Sequence, residues 1–390
     1  MFRRTLIAAM LLLVGGNCAL ASGLIQVIPI FQLNEIYSDN INAFSSSGGG
    51  GDFFTAGVLG CYIGLQQPDR YLSADYETFG EKFVHNDEFD SYGHGHYFHL
   101  SYFDRSEVDT TISAQDDIID NGFAGAVLAG LNGPPSFNVA LAYALLGRNT
   151  GLINTFEGGA THRFSPRWSA TLTLRQTYLS GSGYLQSGDL ELNYETGAEV
   201  TLGGAASFYD FIPSSSGSPG QASSSNSQAY YPHAVLKWHP TDNLDFRATT
   251  GPILLNSSAT TEGKFGFTVD LRYEVRRLRM EVGGSQLPNI TVYGGGAAIL
   301  RSGRGQVTYR LTRYTDVDVG SGYFEISGAG SDTQLITYGG GVTRRIASWI
   351  NVYARYVALR RSNSPSAENV SNIFVIGASV SFEAFRWGWP

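Results

Sequence analysis

Asn372–Trp387 reads NIFVIGASVSFEAFRW. From Phe374 it alternates: Phe374, Ile376, Ala378, Val380, Phe382 and Ala384 fall on one face, and Val375, Gly377, Ser379, Ser381 and Glu383 on the other. A period of two held over about a dozen residues is a strand whose faces meet different surroundings. One face is continuously apolar, the other small and polar, and the aromatics Phe385, Trp387 and Trp389 follow. A soluble sandwich would half-bury such a strand near its chain end. A Gram-negative outer-membrane barrel would use it as the closing strand, between lipid and water.

Composition favours the second setting. Charged residues make up 15% of the chain, against roughly 25% in ordinary globular proteins. Aromatics reach 13% and there are 48 glycines, as expected where half the strand positions face lipid and Tyr and Phe gather in girdles. Residues 1–21 read as a signal peptide. Arg3 and Arg4 precede the apolar run Leu6–Val14, and a cut is expected after Ala21. Cys18 raises a lipoprotein alternative, but Asn17 before it fits a lipobox poorly. No segment approaches about 18 consecutive apolar residues, so no transmembrane helix is predicted. Removing Arg3 and Arg4 would take the net charge from −8 to −10 and leave Cys61 as the one cysteine. An acidic exported chain carries no footprint for nucleic acid.

The chain from residue 22 to 390 reads as one domain of strand after strand. Strands are predicted near Ile25–Tyr37, Phe54–Gln66, Arg70–Phe83, Gly93–Asp104, Phe137–Arg148, Ile153–Phe164 and Trp168–Leu179. Glu107–Pro135 resists assignment. The cleanest alternation covers Asp189–Leu202, and further strands fall near Ala229–Trp238, Leu244–Leu255, Phe265–Arg276 and Leu278–Gly284. Ile290–Leu300, Arg304–Arg313, Val317–Ile326, Gln334–Arg345 and Ile350–Leu359 precede the closing strand. Short turns such as Ser165–Arg167 and His239–Asn243 alternate with longer polar stretches such as Pro213–Gln228 and Ser362–Ser371. Short turns on one rim and long loops on the other are the asymmetry of an outer-membrane barrel. The expected fold is all-β: a single closed antiparallel transmembrane barrel of roughly 16 strands, with two either way.

Tyr37-Ser38-Asp39-Asn40-Ile41, Asp52-Phe53-Phe54-Thr55 and Leu72-Ser73-Ala74-Asp75-Tyr76 resemble the N-terminal pattern of exopolysaccharide-associated outer-membrane barrels. These are the type-two β-barrel porins and EpsL-like proteins of exosortase-linked loci. Asn372 through Phe382 is similar to their ending, while the middle of the chain shows only generic alternation. The resemblance implies a channel or accessory role in moving or anchoring secreted polysaccharide, with periplasmic export or synthesis components as partners. It supplies no catalytic residues. Cys61 and the tract His94, His96 and His99 depart from it.

Chemistry is expected on inward faces. Asp189, Glu191, Glu195 and Glu199 line one face of the Asp189–Leu202 alternation. Arg272 and Arg276 flank Glu274, and Arg279 with Glu281 continues that wall. Arg304 and Arg310 share a face with Gln306, Thr308 and Thr312, while Arg355 sits between lipid-facing Ala354 and Tyr356. Such opposed rows either orient charged solutes in a water-filled pore or neutralise one another and plug it. His94 and His96 share a strand face but have no third ligand nearby in sequence, so neither a metal nor a cofactor is expected. His162 and His233 lack a nucleophile motif, and no enzyme is expected. Gly48–Gly51, Gly294–Gly296 and Gly339–Gly341 lack the Lys and helix of a phosphate loop. Three readings remain: an accessory or channel for exopolysaccharide export, with aromatics such as Tyr353 facing inward; a general diffusion porin; and a structural or adhesive surface barrel. Membrane lipid is a partner in all three.

Overall fold

The computed structural model describes residues 23–39, 50–85, 91–120, 152–180, 183–213, 226–256, 260–291, 296–328, 333–363 and 369–389. The expected signal peptide and the strand expected at Phe137–Arg148 lie outside them. Strands β1 (Gly23–Ser38), β2 (Asp52–Gln66), β3 (Arg70–Phe83), β4 (Ser91–Glu107), β5 (Thr110–Asp120) and β6 (Ile153–Arg163) open the wall. It continues through β7 (Trp168–Leu179), β8 (Gly183–Glu195), β9 (Val200–Pro213), β10 (Ser227–Thr241), β11 (Leu244–Asn256) and β12 (Thr261–Val275). The remaining strands are β13 (Leu278–Thr291), β14 (Gly296–Thr312), β15 (Thr315–Gly328), β16 (Thr333–Ala347), β17 (Ile350–Asn363) and β18 (Asn369–Ser381). Each pairs antiparallel with the next, and β1 pairs β18 from Ile30↔Ser381 to Ser38↔Ile373, so eighteen strands close on themselves. A short β19 (Phe385–Trp389) lies outside that count and pairs only the first residues of β1.

Closure follows from the two faces of each strand. Ile376 is 69% exposed while its neighbour Val375 is 1% exposed, as the alternation of the closing strand predicts. Exposed Phe31 and Leu33 in β1, Phe53 and Leu59 in β2, and Leu254 in β11 extend the outward apolar face around the wall. Between Ser381 and Phe385 the register against β1 slips by one residue, from Ile30↔Ser381 to Val27↔Phe385. The extra residue inverts the alternation, so Phe385 and Trp387 join the exposed outer face rather than their neighbours' opposite side. Both chain ends of the barrel share a rim with turns as short as Asp242–Asn243, Arg276–Arg277 and Arg313–Tyr314. Exposed Trp168, Trp238, Trp349 and Trp387 all lie at that rim.

The structure corrects three expected strands. Asp189–Leu202 is not one strand: it is the end of β8, the turn Thr196–Glu199, and the start of β9. Glu195 pairs with Thr201 and Tyr194 with Leu202. Partners whose numbers sum to an even value share parity, so the alternation runs unbroken through the turn and hides it. Ile290–Leu300 is not one strand either: Ile290-Thr291 ends β13 and Gly296–Leu300 opens β14, which runs straight through Ser302-Gly303 into the expected Arg304–Arg313 with continuous pairing to both neighbours. The unassigned stretch after Glu107 contains β5, whose Ser113-Ala114-Gln115-Asp116-Asp117 presents no apolar stripe.

Apolar packing inside the barrel gathers toward the long-loop rim. One cluster joins Ile36, Phe54, Val58, Phe79, Phe83, Leu359, Ile373 and Val375 from β1–β3, β17 and β18. A second joins Phe211, Ala229, Tyr231, Ile253, Leu255 and Ile299 from β9–β11 and β14. Each large side chain removed from water contributes about 1.5–3 kcal/mol, which stabilises this end of the barrel.

Candidate functional site in the barrel lumen

Glu191 on β8 points inward and is almost buried. Lys237 on β10 donates to it at 2.5 Å, Arg247 on β11 at 2.9 Å and Asn193 at 2.8 Å. Its charge is met by strands two and three places along the wall, not by the arginines expected to oppose it. The intervening β9 presents Ala205 opposite Glu191, a side chain too small to stand between the charges.

The same geometry recurs twice with glycine as the intermediate. Asp270, Gly283 and Arg304 lie abreast on β12, β13 and β14, and Arg304 bonds Asp270 at 2.7 Å across the glycine. A Cβ on Gly283 would stand 3.1 Å from Arg304 Nε. Asp318, Gly341 and Arg355 repeat the arrangement on β15, β16 and β17, with two contacts of 3.1 Å between the ionic groups. Adding a Cβ to Gly341 would bring it within 2.7 Å of Arg355 Cγ. Glycine here clears a lane for a bridge to the next strand but one.

These bridges meet different amounts of water. The Arg355 and Asp318 side chains are 3% and 4% exposed, whereas those of Arg304 and Asp270 are 46% and 45% exposed. Arg272 pairs with Glu274 at 2.9 Å, Arg279 with Glu281 at 2.8 Å, and Arg310 with Asp316 at 3.5 Å, with their arginines similarly open. Lys237, Asp245, Arg247, Asp270, Arg272, Glu281 and Arg304 border a recess of about 440 Å³. Charge turned inward and half wetted defines a hydrated lumen wall over β10–β15.

Two expected wall residues sit elsewhere. Glu199 lies exposed in the turn between β8 and β9, where its backbone carbonyl accepts from His239 N at 2.8 Å. Arg276 occupies the two-residue turn between β12 and β13 at φ 50°, so it belongs to the rim. Glu195 is inward but close to the same rim, paired with Arg163 at 3.1 Å. Tyr353 faces inward as expected and is buried: it accepts from Gln32 at 2.7 Å and donates to Asn34.

Sequence reading missed Lys237, Arg247, Asp270 and Asp318, since each is recognisable only through lateral register. It also missed an acidic wall. Asp75, Glu77 and Asp117 face inward on β3 and β5, with His99 Nδ1 2.7 Å and the Tyr97 hydroxyl 3.0 Å from Asp117. In an eighteen-strand ring β4 stands nine strands from β13, so this wall faces the arginine-bearing one. His96 turns to the other face, where its Nδ1 bonds the Tyr76 hydroxyl at 2.9 Å. Among the described residues no three His, Cys, Asp or Glu side chains converge as a metal site.

A closed antiparallel barrel with an exposed apolar exterior, charge turned inward and tryptophans at the short-turn rim is a Gram-negative outer-membrane β-barrel. No protein-family model matches the chain, and no curated protein matches it by sequence. Among solved structures it is similar to a BenF-like porin from Pseudomonas fluorescens Pf-5, at 9% identity and TM-score 0.49, covering 92% of this chain and 99% of that one. OpdQ of Pseudomonas aeruginosa gives 7% identity and TM-score 0.48, covering 93% and 99%. OmpT of Vibrio cholerae, with loop L8 deleted, gives 12% identity and TM-score 0.44, covering 93% and 100%. At such identities the architecture rests on the strand register itself.

Proposed function

We infer that the protein is a diffusion channel for small polar or charged solutes across the outer membrane. One observation supports this reading above others: ionised side chains turned into the barrel stay about half exposed along β12–β14. Charge in a packed plug would be sealed as Arg355 and Asp318 are. Glu191, Glu195, Arg272, Glu274, Arg279, Arg304 and Arg310 are the lumen residues expected to act on solutes. The arginines of β12–β14 are each paired with a carboxylate, so that wall presents alternating charge, across from the acidic wall of β3–β5. A hydrated wall of this kind favours polar solutes and slows apolar ones. Exopolysaccharide export keeps the resemblance of the two chain ends as its support. The inward Tyr353 that would have offered a sugar platform is instead held by Gln32 and Asn34.

Conductance of the purified protein in planar bilayers tests the reading. Steady ion conductance is expected, with a selectivity that fades near 1 M salt, where the screening length is only about 3 Å. Folded protein that conducts nothing and fails to swell sugar-loaded liposomes would overturn it in favour of a structural barrel.

A further inference from the structure

The wall is not a simple ring near the long-loop rim. β12 pairs β13 only from Val275↔Leu278 to Phe267↔Gln286, although β12 continues to Thr261 and β13 to Thr291. Above that fork each strand keeps its other neighbour: β12 stays on β11 and β13 on β14. The upper parts of β13 and β14 approach β10 and β11 within 8 Å between Cα atoms. An open wall would hold β10 and β13 three strand spacings apart, roughly 14 Å. Ile299 shows how they meet. It shares the outward parity of Val307, Tyr309 and Leu311, yet is buried against Tyr231 and Ile253 on the inner face of β10 and β11. The outer face of the β13–β14 hairpin therefore lies against the inner face of β10–β11, as two lapped leaves with an apolar contact between them.

Prolines mark the line along which the wall parts. Pro232 on β10 and Pro252 on β11 occupy opposite positions where the β10–β11 ladder is interrupted between Tyr230↔Leu254 and Ala234↔Thr250. Pro252 is abreast of Phe265 on β12, and Phe265 would meet Pro288 were the β12–β13 ladder to continue. Three prolines across four strands withdraw ladder donors at one height, which in a sheet belongs at an edge. The freed Phe265 carbonyl is instead met by the Gln286 side-chain amide at 2.6 Å. Gln286 accepts from Arg301 Nε at 3.0 Å, and Arg301 donates to Glu325 at 3.0 Å. Gln286, Arg301 and Glu325 have outward parity, so a polar cluster sits on the exterior beside the fork. Open sheet edges are costly in hydrocarbon because nothing there satisfies them. This one has substitutes built in.

We propose that the lapped leaves of β10–β12 and β13–β14 form a lateral port between the outer leaflet and the lumen for small amphipathic molecules. The apolar slot around Ile299, Ile253 and Tyr231 takes the hydrocarbon or aromatic body, and Gln286 and Arg301 meet the polar head at the mouth. Ile299 is the side chain that fills the slot in the closed state. The port goes beyond the axial channel and stands without it.

Uptake of the apolar dye N-phenylnaphthylamine by cells making the wild-type protein, compared with cells lacking it, tests the port, with liposome swelling in a small neutral sugar as the axial control. Wild type should take up dye several-fold faster than the cells without it. Ile299→Ala, which empties the slot, should raise that rate severalfold again, and Pro288→Val, which restores a donor opposite Phe265, should lower it toward background. Both variants, confirmed as folded by heat-dependent gel migration, should leave sugar flux within about twofold. Dye uptake no faster than in cells without the protein, or unmoved by Ile299→Ala, overturns the port. Loss of swelling with dye uptake intact would instead count against the axial channel alone.

Discussion

Glu191 is where residue chemistry bears most directly on the proposed transport. Neutralising it leaves the Lys237 ammonium and the Arg247 guanidinium facing the same space. Glu191→Gln is therefore expected to shift selectivity toward anions at low salt, read as a change in reversal potential under a salt gradient. Glu199→Gln, in the turn, should leave it unchanged. The bridges separate by burial. Asp318→Asn strands the sealed Arg355 charge and should cost about 3–5 kcal/mol, whereas Arg304→Leu breaks a half-wetted pair worth about 0–1 kcal/mol. Denaturant-driven unfolding in lipid bilayers would resolve the two. That Glu191 and Arg355 point inward was legible from alternation alone. Their partners were not, because Lys237 and Asp318 become neighbours only once hairpin lengths set the lateral register.

Among the elements, the closing strand offers the sharpest contrast. Ile376→Arg places charge on the lipid face at a cost of about 2–4 kcal/mol near the midplane. Ser379→Glu enters a small inward recess beside Arg313, Arg345 and Tyr353 and should assemble normally. Heat-dependent migration of the two variants on gels reads the difference, and the reverse outcome would mean that the register is off by one. Where an apolar face meets lipid, as here, the strand was plain in the residues. A hairpin such as β8–β9 was concealed because its pairing conserves parity, and β14 was divided because Ser302-Gly303 has the composition of a turn. Only the partner strands reveal that it is not one. The fork between β12 and β13 was likewise unreadable, since a proline row across β10, β11 and β13 exists only after the strands are laid side by side.

For the whole molecule, interior polarity changes along the barrel axis. Most half-wetted ion pairs occupy the middle and the short-turn end, Lys264–Glu262 being one near the long-loop rim, and apolar clusters occupy the long-loop end. If the protein is the channel proposed above, a solute would meet a mostly apolar wall on one side and a charged vestibule on the other, and conductance should depend on the direction of the applied voltage. Equal conductance at both polarities in singly oriented insertions would argue against this gradient. The placement of tryptophan has a separate consequence. Trp168, Trp238 and Trp387 stand exposed on the outside at the short-turn rim and Trp349 is exposed in a turn at the same rim; they account for four of the five tryptophans in the chain. Ultraviolet emission from this protein is therefore dominated by one bilayer interface. A quencher confined to a single leaflet would report, without any added label, which way up the molecule has gone in and how deep it sits.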